Sequence, residues 1–261
     1  MEGSRMLLGI SGLANSGKDT VAKFLGEDLR FVGIAFADPL KQIAKTVYRF
    51  TDDQLWGPSH MRNTPDKRYP RSHTWVLADR LAEHEMTCAC CGAGANRRLV
   101  EDDLLVVNEE DVSPCYLTPR YALQLLGTEW GRQCYPDTWA LLGVTNAKEL
   151  LGPNGAGLRY DRARGIWRSD RHPTEKAAGV AITDVRFKNE MRVIREGGGK
   201  VIRVRRPGAG LGGGAGLHPS EAEQASIPDS AFDAIIENDE TLDVLRARSH
   251  DTLVSLGATG Y

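Results

Sequence analysis

Long apolar runs are missing from this chain. No stretch approaches the roughly 20 residues a membrane helix needs, and the opening Met1-Glu2-Gly3-Ser4-Arg5 has no apolar export core. These absences argue against a membrane protein and predict a cytoplasmic one. An excess of one charge is missing as well: Lys and Arg total 33 against 35 for Asp and Glu. No whole-molecule positive field is then available to hold duplex DNA, which argues against a nucleic-acid partner and makes any phosphate recognition local. Cysteine is scarce and odd in number, at Cys88, Cys90, Cys91, Cys115 and Cys134. With no export signal, reduced thiols or a metal site fit better than a disulfide framework.

What is present is a core of sufficient size, with 41% apolar side chains in 261 residues, and one α/β domain with insertions is expected. Met6 to Ser11 reads as a buried strand, and Val21, Phe24, Leu25 and Leu29 then recur at helical spacing. Val32 to Phe36 predicts a second strand and Leu40 to Phe50 an amphipathic helix. From Trp56 to Leu117 the periodicity breaks, leaving an insertion (52–117) with one expected helix at Thr74 to Glu85. Helical character resumes over Arg120 to Arg132 and Asp137 to Leu151, followed by an exposed excursion over 152–178. Strands are expected at Val180 to Thr183, Lys200 to Val204 and Ala234 to Glu237, with helices at Asn189 to Glu196, from Glu221, and at Thr241 to Leu256. Pro207 to Gly216 holds six glycines in ten residues and predicts a mobile loop within a lid-like segment, 205–220. Strands alternating with helices imply a three-layer α/β fold around a mostly parallel sheet, with ligands at the carboxyl ends of the strands.

The motifs fall at those ends. Gly12-Leu13-Ala14-Asn15-Ser16-Gly17-Lys18 has the spacing of a phosphate-binding loop, whose amides cradle a β-phosphate while the lysine reaches the β/γ oxygens. Its plain alternative is a chance Gly-rich turn, against which stand the apolar strand before it and the helix after it. The strict pattern continues with Ser or Thr to hold magnesium, whereas here Asp19 precedes Thr20. Asp19 is then a candidate to hold the ion, directly or through water. Asp184, closing a hydrophobic strand, is a second magnesium candidate, with Arg186 two residues on suited to grip a phosphate. Asp38, with Lys41 after it, is placed to orient an acceptor or take its proton. Either aspartate could instead be an ordinary helix cap.

Arg120, Gln124, Gly127 and Thr128 fall near one face of the expected helix, with Arg132 one turn beyond Thr128. Such a face can bind a phosphate at one end and a base edge at the other, although a solvated surface would carry similar residues. Cys88, Cys90 and Cys91, with Cys115 or His84, offer four zinc ligands, but adjacent cysteines fit the usual two-residue spacer poorly.

Taken together, the blocks Ser16-Gly17-Lys18-Asp19-Thr20, Phe36 to Lys41, Leu123 to Arg132, Asp184 to Glu190 and His218-Pro219-Ser220-Glu221 resemble the deoxynucleoside monophosphate kinases of tailed bacteriophages, within the P-loop nucleoside-monophosphate kinase superfamily. The resemblance implies magnesium-dependent transfer from ATP to a dNMP, an NMP-binding insertion, a lid and, for a phage protein, the host cytoplasm. It implies Lys18 on the β/γ-phosphates; Asp19, Thr20 and Asp184 managing magnesium; Asp38, Arg120, Gln124, Arg132 and Arg186 on the acceptor; and Asn238 beside the adenine. The cysteine cluster is not part of it. Two rival readings stay open, a kinase of another small metabolite such as dephospho-coenzyme A, and a non-catalytic ATP-binding partner of nucleic acid. Base preference and a homodimer also stay open.

Overall fold

In the computed structural model the described residues are 5–77, 85–91, 94–100, 104–107, 114–152, 158–161, 166–169, 177–210, 223–224 and 226–258. They form two compact units, residues 1–39 with 131–261 and residues 40–130.

The first unit is built on five parallel strands: β1 (Met6–Ser11), β2 (Phe31–Ile34), β9 (Gly179–Val185), β10 (Lys200–Arg205) and β11 (Ala234–Glu237), in the order β11-β10-β1-β9-β2. The chain visits one side of β1 first and the other side later, so the order reverses around the central strand. That reversal opens a crevice at the carboxyl ends, where ligands settle in sheets of this type.

Alternation along β1 divides the core. Leu7 joins Val144, Ile182, Ile194 and Val201 on one face, under α6 (Thr138–Leu151) and α7 (Lys188–Glu196). Leu8 and Ile10 join Val21, Leu25, Ile202 and Leu245 on the other, under α1 (Lys18–Leu29) and α8 (Leu242–Ser255). The inner strands β1 and β9 are buried on both sides almost throughout and so read as apolar runs. The three-layer α/β fold with a parallel sheet is thus the observed one, and it is consistent with a P-loop NTPase.

The second unit holds most of α2 (Asp38–Tyr48), together with α3 (Asp52–Trp56), α4 (Ser59–Asn63) and α5 (Pro119–Gln124). It also carries the antiparallel sheet β3 (Trp75–Leu77), β4 (Glu85–Cys88), β5 (Gly94–Val100) and β6 (Leu104–Val107). The helix expected at Thr74 to Glu85 is corrected here: Trp75–Leu77 is extended and pairs with Met86 to Cys88. An aromatic and a β-branched residue favour the pleated form once a partner strand exists, and periodicity cannot arbitrate so short an apolar run. Phe50, Leu55, Leu117 and Ala122 pack with Cys88, Cys90 and Cys115 into this unit's own core.

The excursion contains a hairpin of β7 (Leu158–Asp161) and β8 (Ile166–Ser169). Most of the expected loop after Pro207, together with His218 and the start of the following helix, lies outside the described residues. No described helix is long and apolar enough to cross a membrane.

Candidate functional site

At the end of β1 the chain turns through Gly12 to Lys18 and enters α1 with four amides unclaimed by the helix. Asn15 and Gly17 take left-handed backbone angles, φ 64° and 96°. A Cβ on Gly12 would lie 2.4 Å from Ser16 Oγ and 2.7 Å from the Val204 carbonyl, so only glycine lets the turn close this tightly. The Ser16 amide donates to the Leu13 carbonyl, and Lys18 Nζ lies 3.5 Å from that same oxygen. Ser16 Oγ is fully buried with no hydrogen-bond partner among the described residues.

The turn is braced from three directions. Asn238, at the end of β11, donates from Nδ2 to the Ser16 carbonyl at 2.8 Å. The Gly210 amide, on the segment after β10, donates to the Ala14 carbonyl at 2.9 Å. Gln224 is buried, and its Nε2 lies 3.0 Å from Ser11 Oγ, 3.1 Å from the Gly12 carbonyl and 3.2 Å from the Val185 carbonyl. Gln224 escaped the sequence reading, since one amide in an acidic, alanine-containing stretch carries no motif.

Asp184 stands at the end of β9, beside β1. Its Oδ1 accepts from the Phe36 amide at 2.7 Å and its Oδ2 from the Ala37 amide at 3.0 Å. These bonds use two of the roughly four lone-pair directions of a carboxylate. Asp38, buried at the start of α2, accepts the Ala35 amide on Oδ2 at 2.8 Å and returns its own amide to the Ala35 carbonyl. The two aspartates therefore fix the turn that follows β2. Asp19 is exposed on the first turn of α1 and Thr20 is half-buried.

Arg132 is held with unusual firmness. Its Nη2 donates to Glu190 Oε1 at 2.7 Å and its guanidinium lies 3.8 Å from the centre of the Phe187 ring. Glu190 Oε2 meanwhile accepts the amides of Arg186, at 2.7 Å, and Phe187, at 3.0 Å. Burial pushes the Glu190 carboxyl above its usual range, with the Arg186 amide and the Arg132 charge pulling the other way and the Asp184 charge adding to the rise. Glu190 thus joins the Asp184-Val185-Arg186 strand end to Arg132.

The helix before Arg132 departs from expectation. α5 ends at Gln124, and Leu125–Arg132 continues as a π-helix. The four-residue spacing that stacks Thr128 on Arg132 in an α-helix does not do so where hydrogen bonds span five residues. Gly127 and Gly131 weaken the α preference of this stretch. A Cβ on Gly131 would meet the Trp139 ring at 2.3 Å, so the wider helix brings its backbone against that indole.

In the second unit Arg120 donates from Nε to Asn63 Oδ1 at 2.5 Å and from Nη2 to Ser59 Oγ at 2.9 Å. Gln124 is half-buried and Thr128 exposed. Lys41 lies 5.6 Å from the Trp56 ring centre. Of the candidate zinc ligands, Cys88, Cys91 and Cys115 converge, whereas Cys90 does not: its Sγ points to the Tyr116 carbonyl at 3.1 Å, and His73 takes its place. His84 lies outside the described residues. Burial opposes the Cys88 thiolate, yet the amides of Cys91, Thr74 and Cys90 and the His73 ring hold the group at about 6. Burial and the neighbouring Cys91 and Cys88 sulfurs push the Cys115 thiol up.

No protein-family model matches the chain. A protein of Acanthamoeba polyphaga mimivirus, named "Putative deoxynucleotide monophosphate kinase", is 29% identical over 238 residues, which are 91% of this chain and 91% of that one. The similarity to that protein extends along most of the chain.

Proposed function

We propose that this chain is a deoxynucleoside monophosphate kinase, moving the γ-phosphate of ATP onto a dNMP to give dNDP and ADP. The observation that carries the reading is the Gly12 to Lys18 turn: an apolar strand feeds a left-handed, glycine-gated loop whose amides open the first helix. A buried Ser16 hydroxyl without a partner among the described residues and two glycine positions with no room for a Cβ fit a cradle shaped for phosphate oxygens. The name of the mimivirus relative supports the same chemistry.

Magnesium ATP would supply the transferable phosphoryl group and the charge that offsets repulsion between donor and acceptor. The loop amides, from Gly12 through Asn15, Ser16 and Gly17 to Asp19, would bind the β-phosphate, and Lys18 the β/γ oxygens. Asp19, Thr20 and the open lone pairs of Asp184 would hold magnesium, directly or through water. Arg132, clamped by Glu190 and stacked on Phe187, is oriented before an acceptor arrives, so little is lost in ordering it. Arg186 adds a second cation and Asp38 a carboxylate to orient the acceptor. From the second unit, Arg120, Gln124, Lys41 and Thr128 are assigned to the acceptor by the same reading. Asn238 braces the loop, and contact with adenine is proposed for it as well.

A coupled assay of ADP release, run with each of the four dNMPs, tests the assignment. Acceptor-dependent turnover with at least one is expected. Turnover with dephospho-coenzyme A alone, or with no acceptor, would overturn it. Lys18→Ala should abolish turnover with the far-ultraviolet spectrum unchanged.

A further inference from the structure

The cysteine cluster belongs to the second unit's core and takes no part in the proposed transfer. Cys88 and Cys91 are separated by two residues, the spacing of a metal knuckle, which the intervening Cys90 disguises in the sequence. Pairing of β3 with β4 sets Trp75 against Cys88 and so draws the preceding His73 to the same place. Cys115 arrives from the other end of the insertion, where the Arg71 amide donates to its carbonyl at 3.0 Å. One ligand atom from each of His73, Cys88, Cys91 and Cys115 can be chosen so that all lie within 4.8 Å of one another.

The dimensions discriminate between the chemistries such a group could serve. A zinc–sulfur bond of about 2.3 Å in a tetrahedron sets neighbouring sulfurs about 3.8 Å apart. Cys88 Sγ lies 3.8 Å from Cys115 Sγ, and Cys91 Sγ lies 3.8 Å from His73 Nδ1. A disulfide would require the sulfurs at about 2.05 Å. The surroundings also suit a thiolate, since the Thr74 amide points to Cys88 Sγ at 3.4 Å. His73 is fixed by stacking on Trp75, with ring centres 4.6 Å apart.

We propose that His73, Cys88, Cys91 and Cys115 form a structural Cys3His zinc site. Four protein ligands fill a tetrahedron and leave no position for a reacting water. The ion would fasten three separate segments of the insertion together. It also supports α5, because Thr118 Oγ1 donates to the Cys90 carbonyl while accepting the Tyr121 amide that begins that helix. Soft thiolate ligands with one imidazole select zinc over magnesium or calcium. The site does not depend on the kinase assignment, and its test reads metal rather than turnover.

The full chain, purified without chelators, should carry about one zinc per molecule by plasma mass spectrometry. Zinc below about a tenth of that, or a Cys88–Cys115 disulfide found by peptide mapping, would overturn the proposal. Cys90→Ser should retain the metal and Cys91→Ser should lose it; the reverse pattern would also overturn it. Because Cys91→Ser could simply misfold, the wild-type protein reconstituted with cobalt(II) provides a second reading. Intense tetrahedral d–d bands with thiolate charge transfer are expected, and a weak octahedral spectrum would reject the site.

Discussion

Asn238 and Gly17 share one space: the Asn238 amide reaches the Ser16 carbonyl at 2.8 Å only because Gly17 has no Cβ, which would otherwise lie 2.4 Å from Nδ2. The last strand of the sheet thereby locks the loop that follows the first. Asn238→Ala removes one hydrogen bond worth about 1 kcal/mol, and a rise of about fivefold in Kd for ATP is expected. Gly17→Ala meets both the collision and a φ of 96°, and should abolish ATP binding. Isothermal titration with ATP checks both; an unaltered affinity in Gly17→Ala would show that the loop is not the phosphate site.

Glu190 is expected to matter out of proportion to its distance from any reacting atom. Glu190→Ala strands the Arg132 guanidinium and the amides of Arg186 and Phe187, at a cost of roughly 3 kcal/mol in urea unfolding. Glu190→Gln keeps an oxygen for the amides but turns donors toward Arg132. Its loss of stability should be smaller, while KM for the dNMP rises and KM for ATP stays level. Equal effects on the two constants would mean that Arg132 does not face the acceptor.

Asp184 anchors the turn after β2, and the magnesium role proposed for it can be separated from that anchoring by one substitution. Asp184→Asn can still accept one of the Phe36 and Ala37 amides but presents N–H to the other, costing about 1–2 kcal/mol. Were anchoring this turn its whole purpose, activity would fall only with the folded fraction. On the proposed magnesium role, loss of the Asp184 charge should instead lower kcat by about a hundredfold or more in fully folded protein. Comparing kcat with the unfolding midpoint decides between them.

Much of this fold was legible because strands covered on both faces must be apolar throughout. Met6 to Ser11 and Val180 to Thr183 announce themselves this way, and each ends on the residues that form the candidate site. The loop was equally plain, since Gly12 and Gly17 stand where a Cβ would collide and their spacing up to Lys18 is visible in the sequence. The insertion was opaque for the opposite reason. Trp75–Leu77 is too short for periodicity to separate strand from helix, and what settles it is a partner strand at Glu85–Cys88. His73 joined the thiols only through that pairing. Gln224 and the π-helix were invisible because buried amide bonds and a change of helical pitch depend on neighbours distant in sequence.

Asp66 makes the stability of this chain fall in acid. Arg68 donates to its carboxylate from Nε at 2.9 Å and Nη2 at 2.6 Å, and Gln54 Nε2 adds a third side-chain bond at 3.3 Å. Chiefly through the Arg68 bonds, and against burial, the carboxyl is lowered from 3.8 to about 2. A folded pKa below the unfolded one contributes stability that is complete above about 4 and disappears as pH falls through about 2. The shift corresponds to roughly 1–2 kcal/mol once the exposure of Arg68 is allowed for. Asp66→Asn should therefore be less stable than the parent by that amount at pH 7 in urea unfolding, and the gap should narrow steadily from pH 4 towards pH 2. A gap that stayed constant across this range would mean that the Asp66 charge contributes nothing and that only the shape of its hydrogen bonds does.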